Sequence, residues 1–202
     1  MLTALRAASF PRMELNAGIF LRDFDMSEYA DATAAKTAIK ALITGNSEKL
    51  LGATRGGGSF EVQREMRTIE ADGMRNKFRG SDTQDSLDGH MTGTLLEVTA
   101  DNIKMLMGTA DVVEGDNAKK TEIRMRNDID LEKDYMENLV WVGDLKGGGL
   151  VAIAFDLAIN TNDFSMTWTD KGEGTMPFDI HAVQEDVTND EYAPFAVYLL
   201  DK

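Results

Sequence analysis

Leu150–Asn160 carries the clearest pattern in the chain: Val151, Ile153, Phe155, Leu157 and Ile159 alternate with Ala152, Ala154, Asp156, Ala158 and Asn160. Strict alternation predicts a strand with one apolar face and one small or polar face. Lys146-Gly147-Gly148-Gly149 punctuates it before, and the polar Asn160–Asp163 closes it. The same period predicts strands through Phe164, Met166 and Trp168, through Met176, Phe178 and Ile180, and through Phe195, Val197 and Leu199. The turn Asp170-Lys171-Gly172-Glu173-Gly174 separates the first two of these.

Earlier in the chain, Ala17–Leu21, Phe60 to Ile69, Ser86–Thr99, Thr121–Arg126 and Leu139–Val142 are further strand candidates. Two short segments change period. Thr33–Ile43 places Ile39, Leu42 and Ile43 at helical spacing before Gly45, and Asp101–Met107 turns Ile103, Leu106 and Met107 inward before Gly108, with Thr99 or Asp101 as cap. Gly52–Ser59 reads as a glycine-rich loop, and Ala71–Asp85 as a polar, locally basic, turn-rich connection. Many short strands with turn signals predict a mainly β protein, an antiparallel two-sheet β-sandwich or barrel-like fold with one or two short helices. Met1–Asn16, broken by Phe10-Pro11, is expected to be an N-terminal arm ordered by partners, and residues 17–202 a single β-sandwich domain.

Composition narrows the function. The 202 residues contain no cysteine, which excludes a disulfide framework and thiolate metal sites. The longest apolar run, Leu150–Phe155, falls far short of the ~20 residues that span a bilayer, and Met1–Pro11 lacks the apolar stretch of a signal peptide, so neither membrane anchor nor export is expected. With 35 acidic and 21 basic residues the net charge is −14. Such a field repels polyphosphate and argues against a surface that grips nucleic acid. It suits either a soluble acidic protein or a wall that nucleic acid slides past without sticking.

Candidate chemistry is sparse. Gly52-Ala53-Thr54-Arg55-Gly56-Gly57-Gly58-Ser59 approaches a phosphate-binding loop, but Gly58 stands where the lysine belongs and a strand follows instead of a helix. Asp128, Asp130, Glu132 and Asp134 alternate like the start of a calcium loop, yet Lys133 and Leu139 hold the places of its glycine and bidentate glutamate. A solvated acidic loop is the better reading, with a weak divalent-ion site as the alternative. His90 and His181 are far apart in sequence and lack the spacing of a zinc site or a catalytic triad. No catalytic, cofactor-binding or metal-ligating residue is assigned, and no enzyme activity or cofactor is expected. The 12 methionines and the tryptophans Trp141 and Trp168 read as packing residues.

The order of segments resembles that of the major tail tube proteins of long-tailed bacteriophages. Its carriers are Glu14-Leu15-Asn16-Ala17-Gly18-Ile19-Phe20, then Gly52–Phe60, Ile69-Glu70-Ala71-Asp72-Gly73-Met74-Arg75, Trp141-Val142-Gly143-Asp144, the long alternating strand, and Thr169–Thr175. The resemblance implies a structural virion protein, a β-sandwich flanked by a helix, closing into hexameric rings that stack into a tube. DNA would pass through without specific binding during ejection. The partners implied are other copies of the chain and further tail proteins at the tube ends. The setting implied is the virion, after assembly in the bacterial host cytoplasm. On that reading Phe10, Met74, Arg75, Lys77, Phe78 and Arg79 are expected to reach neighbouring subunits, and Asp156 to face an acidic lumen. The inner tube of a contractile tail or secretion system, and a monomeric β-sandwich binding module for sugars or another protein, are the alternatives. The module would show a platform of exposed aromatics.

Overall fold

The computed structural model describes residues 7–14, 16–114, 120–186 and 191–201. Its elements are β1 (Ile19–Leu21), α1 (Ala32–Thr44), β2 (Thr54–Thr68), β3 (Asp82–Leu95), α2 (Ala100–Met107), β4 (Ala110–Glu114), β5 (Thr121–Met125), β6 (Met136–Asp144), β7 (Leu150–Asn160), β8 (Met176–Ala182) and β9 (Phe195–Leu200). Strand (44%) outweighs helix (15%), so the expected mainly β, sandwich-like fold is the one found, with antiparallel sheets and no closed barrel among the described residues.

The long alternating strand, β7, organises the molecule. On one side it pairs with β6, which pairs with β1; on the other it serves two neighbours in succession. Leu150 to Phe155 pair with β9, and Ala158 to Asn160 pair with β8, which continues to β3 and β2. The fork opens at Asp156 and Leu157, where the Asp156 amide donates to Pro194 O and Leu157 O accepts from Val183. The two branches then separate and close on each other as layers. Phe60 of β2 lies 5.5 Å from Phe195 of β9 and 6.0 Å from Phe155 of β7, ring centre to ring centre. Between the layers sits one core, built on Leu51, Met91, Leu95, Leu106, Leu139, Phe155, Met176 and Ile180.

A second core lies on the opposite face of β6 and β7, beneath α1. The helix starts where Asp31 accepts hydrogen bonds from the Thr33 and Ala34 amides and ends at Gly45. Its buried stripe is Ala32, Ala35 and Ile39, while Ile43 is exposed. These pack with Leu21, Phe24, Val140, Val142, Ala152 and Ala154. The small-residue face of β7, expected to be free, is therefore covered. Alanines on both elements let the helix backbone approach the sheet closely, and close packing of this kind is what a second apolar layer requires. A central strand buried on both faces still alternates in sequence because one face takes large side chains and the other takes methyl groups.

Several local expectations are corrected. Gly52–Ser59 is not a loop throughout, because β2 begins at Thr54 and pairs with β3 through a bulge between Thr54 and Gly58, where Gly56 and Gly57 adopt φ of 79° and 78°. Glycine supplies those left-handed conformations without strain. Phe164–Trp168 makes only an isolated bridge, Thr167 to Thr175. Phe164 and Met166 still pack on the core, but Trp168 is 75% exposed, against the expectation of burial. The inward residues of α2 include Asn102, whose amide nitrogen donates to Leu51 O and Glu97 O; Ile103 is only partly buried. Strand β4 pairs with β5 in a separate two-stranded ribbon.

Of the expected N-terminal arm, residues 1–6 and 15 lie outside the described residues. The remainder is bonded to its own chain: Gly147 donates to Pro11 O, Lys146 donates to Met13 O, and Glu14 bridges Leu145. This part of the arm is held by the β6–β7 turn of its own chain.

Candidate functional site

The alternation of β2, β3 and β8 gives their shared sheet one core face and one polar face. Phe60, Met91, Phe178 and Ile180 point into the core or pack on it. The intervening positions, Ser59, Glu61, Gln63 and Glu65 on β2, Ser86, Asp88, His90, Thr92 and Thr94 on β3, and Pro177, Asp179 and His181 on β8, form the other face. The register sets Glu61 beside His90 and His90 beside His181, Gln63 beside Asp88, and Thr92 beside Asp179. The acids on this face are Glu61, Glu65, Asp88 and Asp179; Arg67 continues the alternation at the exposed end of β2, where it pairs with Asp85 at 2.9 Å.

These side chains are joined to one another. Ser59 Oγ lies 2.8 Å from Thr92 Oγ1 and 3.2 Å from Glu61 Oε1. His90 is buried at 7% exposure, with Nδ1 2.7 Å from Asp179 Oδ1. His181 Nδ1 lies 3.0 Å from Asp88 Oδ2, and the two imidazoles stack with centres 5.1 Å apart. The result is an ordered acidic surface whose arginine, Arg67 at the outer end of β2, is itself paired with Asp85. The chain matches no protein-family model, and no curated protein matches it significantly.

The expected contact residues fall mostly in one place. Past Glu61 the β2–β3 hairpin leaves the body, and residues 61–67 are exposed on both faces. Met74, Arg75, Lys77, Phe78 and Arg79 lie in its tip, residues 69–81, which is closed by hydrogen bonds from Met74 to Ala71, Ser81 to Phe78 and Ile69 to Ser81. Met74 is half-buried, Phe78 is 61% exposed, and Met66 and Ile69 beside the tip are each 55% exposed. Lys77 lies 2.8 Å from Asp82; its hydrogen bond, with that of Thr68, holds the Asp82 carboxyl below its ordinary pKa. Arg75 and Arg79 make no ion pair among the described residues. Phe10 sits apart from this group, at the β6–β7 turn, with the Lys146 ammonium 5.0 Å from its ring centre.

Asp156, the residue expected to face a lumen, stands apart from the acidic face. It lies across the core from the acidic face, on the side of β7 that α1 covers, and remains exposed at the end of that side. Burial, and then the Asp25 carboxylate nearby, hold its carboxyl above its ordinary pKa. Tyr198 is raised by burial and by the same two carboxylates.

The acidic loop from Asp128 to Asp134 is closed by an arginine. Arg126 Nη2 donates to Asp134 Oδ1, and the guanidinium lies 3.3 Å from Asp130 and 3.4 Å from Asp111. Asp134 Oδ2 accepts from the Asp130 amide, and Lys133 lies 2.9 Å from Asp130. Two of the four carboxylates that suggested a divalent ion, Asp130 and Asp134, are neutralised from within. Sequence reading missed the acidic β2–β3–β8 face, although its signal was present. Ser59, Glu61, Gln63 and Glu65 alternate with Phe60, Val62 and Met66, but Arg64 interrupts the apolar side.

Proposed function

We propose that this chain is a tail tube subunit of a long-tailed bacteriophage, a structural virion protein whose copies close into hexameric rings and stack into a channel for DNA. The observation that carries the reading is the β2–β3–β8 face, where Asp88 and Asp179, with Glu61 beside them, have no lysine or arginine partner on a sheet whose other face is core, and Glu65 follows on the exposed hairpin. A channel wall lined with lysine or arginine would neutralise phosphates at many points, and each contact would release counterions and deepen the trap. An acidic wall leaves the duplex unbound. The lining role first expected of Asp156 passes to these four carboxylates.

Assembly finds support in what the single chain leaves uncovered. β2 and β9 are edge strands among the described residues. Val197 and Leu199 on β9 are 55% and 74% exposed, and the hairpin end shows Met66, Ile69 and Phe78. An apolar edge strand in a monomer is an aggregation hazard, which neighbouring copies would remove. The hairpin tip, with Arg75 and Arg79 free to meet acidic surfaces, is the element we assign to contacts between subunits. Other tail proteins would cap the tube ends, and DNA would pass without specific recognition. Among the described residues no helix is long and apolar enough to cross a membrane. Exposed Trp168 is the observation that favours the alternative, a monomeric binding module.

Electron microscopy of the purified protein separates the two readings. Rings or tubes are expected; particles that stay monomeric at high concentration overturn the tube. A variant in which Asn-Gly joins Met66 directly to Gln84, which are Cα partners in the ladder, tests the hairpin. It should fold as a monomer and no longer assemble, since the removed segment touches no core residue.

A further inference from the structure

His90 and His181 are the histidines of this chain, and the β3–β8 register makes them direct neighbours across the sheet. Their rings are nearly parallel, 9° apart, at 5.1 Å. Asp179 stands two residues before His181 and so on the same face of β8. Its Oδ1 is 2.7 Å from His90 Nδ1 and 3.7 Å from His181 Nε2. One ligand atom from each of the three residues lies within 4.8 Å of the others.

A hydrogen bond from His90 to Asp179 would by itself explain a satisfied buried histidine. It does not explain why the second ring turns Nε2 to the same carboxylate oxygen; an ion lies in the plane of each ring that binds it, so the nearly parallel His181 ring must tilt to share it. Metal bonds of about 2.0–2.1 Å in a tetrahedral site put neighbouring ligand atoms about 3.3 Å apart, and the observed 2.7 and 3.7 Å bracket that value. His181, with 24% of its side chain exposed, is the ring with room to adjust.

The far sides of both rings are also furnished. Asp88 takes His181 Nδ1 at 3.0 Å, which fixes the proton there and leaves Nε2 as a lone pair. His90 Nε2 has the Gln63 amide nitrogen at 3.4 Å and Glu61 Oε2 at 3.9 Å, so a proton moved to Nε2 when Nδ1 binds an ion would face the Glu61 carboxylate. Carboxylate–histidine–metal chains of this form orient ligand rings and raise their basicity. Glu61, Asp88 and Asp179 supply negative charge around the imidazoles, and among the described residues no lysine or arginine pairs with these three carboxylates.

We propose that His90 Nδ1, Asp179 Oδ1 and His181 Nε2 form a site for a divalent transition-metal ion of the zinc type, with water completing the coordination. Two imidazoles disfavour magnesium and calcium, which prefer oxygen ligands. The ion joins β3 to β8 at the end of their ladder, where His181 also pairs with Ile159 of β7, so it staples the branch of the sheet that leaves the fork. The assignment is independent of the tube reading, since it concerns the single folded chain.

Calorimetric titration of the chelator-treated full chain with Zn2+, with Mg2+ as control, tests it. One Zn2+ per chain at micromolar or tighter Kd is expected, and Co2+ in its place should give visible absorption from a nitrogen- and oxygen-ligated site. Zn2+ at about 100 times Kd should shift the folding equilibrium about 100-fold toward the native state and raise Tm. His181→Ala, at the more exposed ligand, should remove the site while the circular dichroism stays native. Asp88→Asn, which acts through His181, should weaken affinity by about 10- to 100-fold. The site is overturned if Zn2+ does not bind stoichiometrically, if Mg2+ binds equally well, or if His181→Ala binds Zn2+ as the parent does.

Discussion

Replacing Arg126 by leucine isolates the charge balance of the Asp128–Asp134 loop. The Asp134 side chain is fully buried, and its carboxylate has two partners, the Arg126 guanidinium on Oδ1 and the Asp130 amide on Oδ2. Arg126→Leu leaves a buried anion with one hydrogen bond. Removing one partner of a buried ion pair costs about 3–5 kcal/mol. The surviving amide bond, and the 24% exposure of the arginine side chain, place this case at the lower end, about 3 kcal/mol. In a chain of this size that lowers Tm by about 6–12 °C. Urea unfolding followed by circular dichroism should show a reduced midpoint with an unchanged slope. Adding Asp134→Leu removes the stranded charge, so the double variant should recover about 2 kcal/mol relative to the sum of the single effects. Calcium supplies a further arm: millimolar Ca2+ should stabilise Arg126→Leu, where Asp111, Asp130 and Asp134 have lost their cation, and leave the parent unchanged. Additivity of the two substitutions within about 0.5 kcal/mol, or equal stabilisation of the parent by Ca2+, refutes the reasoning.

Gly89→Ala would place a Cβ 2.5 Å from the Phe195 ring, where the two layers meet, and should lower stability by about 1–3 kcal/mol in urea unfolding. Asp156→Asn should raise Tm at pH 7. The folded state binds the Asp156 proton more tightly than the unfolded chain does, so its carboxylate costs stability above the folded pKa and costs nothing below the unfolded one. The advantage of asparagine should therefore vanish as pH falls through the carboxylate range, and a lower Tm at pH 7 would contradict this. Asp31→Ala removes the acceptor for the Thr33 and Ala34 amides and should cost about 1 kcal/mol, seen as faster amide exchange in the first turn of α1.

What was legible in the sequence was local. Both helices were found from helical spacing and local stop signals, Gly45 after α1 and Gly108 after α2 with Thr99 as a cap candidate, while the Asp31 cap of α1 was missed. The limits of β7 were read to the residue from its alternation. What escaped depends on contacts between distant segments. Alternation fixes that β7 has two different faces but not what covers each, so the burial of Ala152 and Ala154 under α1 could not be read from it. The strand at Gly56–Gly58 forms because β3 pairs with it, against the preference of glycine. Phe164 and Met166 alternate as in a strand because both anchor a loop to the core, with no ladder beside them. The His90–Asp179–His181 group exists only through the β3–β8 register, which no spacing along the chain reveals.

The distribution of charge connects the two proposals. Several basic residues are engaged away from the β2–β3–β8 face: Arg22 with Asp101, Lys36 with Asp144, and Arg55 with Glu173; Arg67, at the outer end of β2, is engaged with Asp85. Exposed pairs of this kind contribute about 0–1 kcal/mol each, so they explain little of the stability. Their larger effect is on the field, because an acid paired at the rim is compensated, while Glu61, Glu65, Asp88 and Asp179 have no lysine or arginine partner among the described residues. A negative surface of that kind repels a phosphate backbone, and it also concentrates dications where imidazole nitrogens offer lone pairs. Under the proposed reading one arrangement therefore serves both ends: the charge that keeps DNA from binding the wall is the charge that draws a metal ion to the histidines within it. An ion bound there would offset only part of the wall's negative charge and would be held beside Asp179, with Asp88 and Glu61 behind the rings, so the face would keep the sign that transit requires.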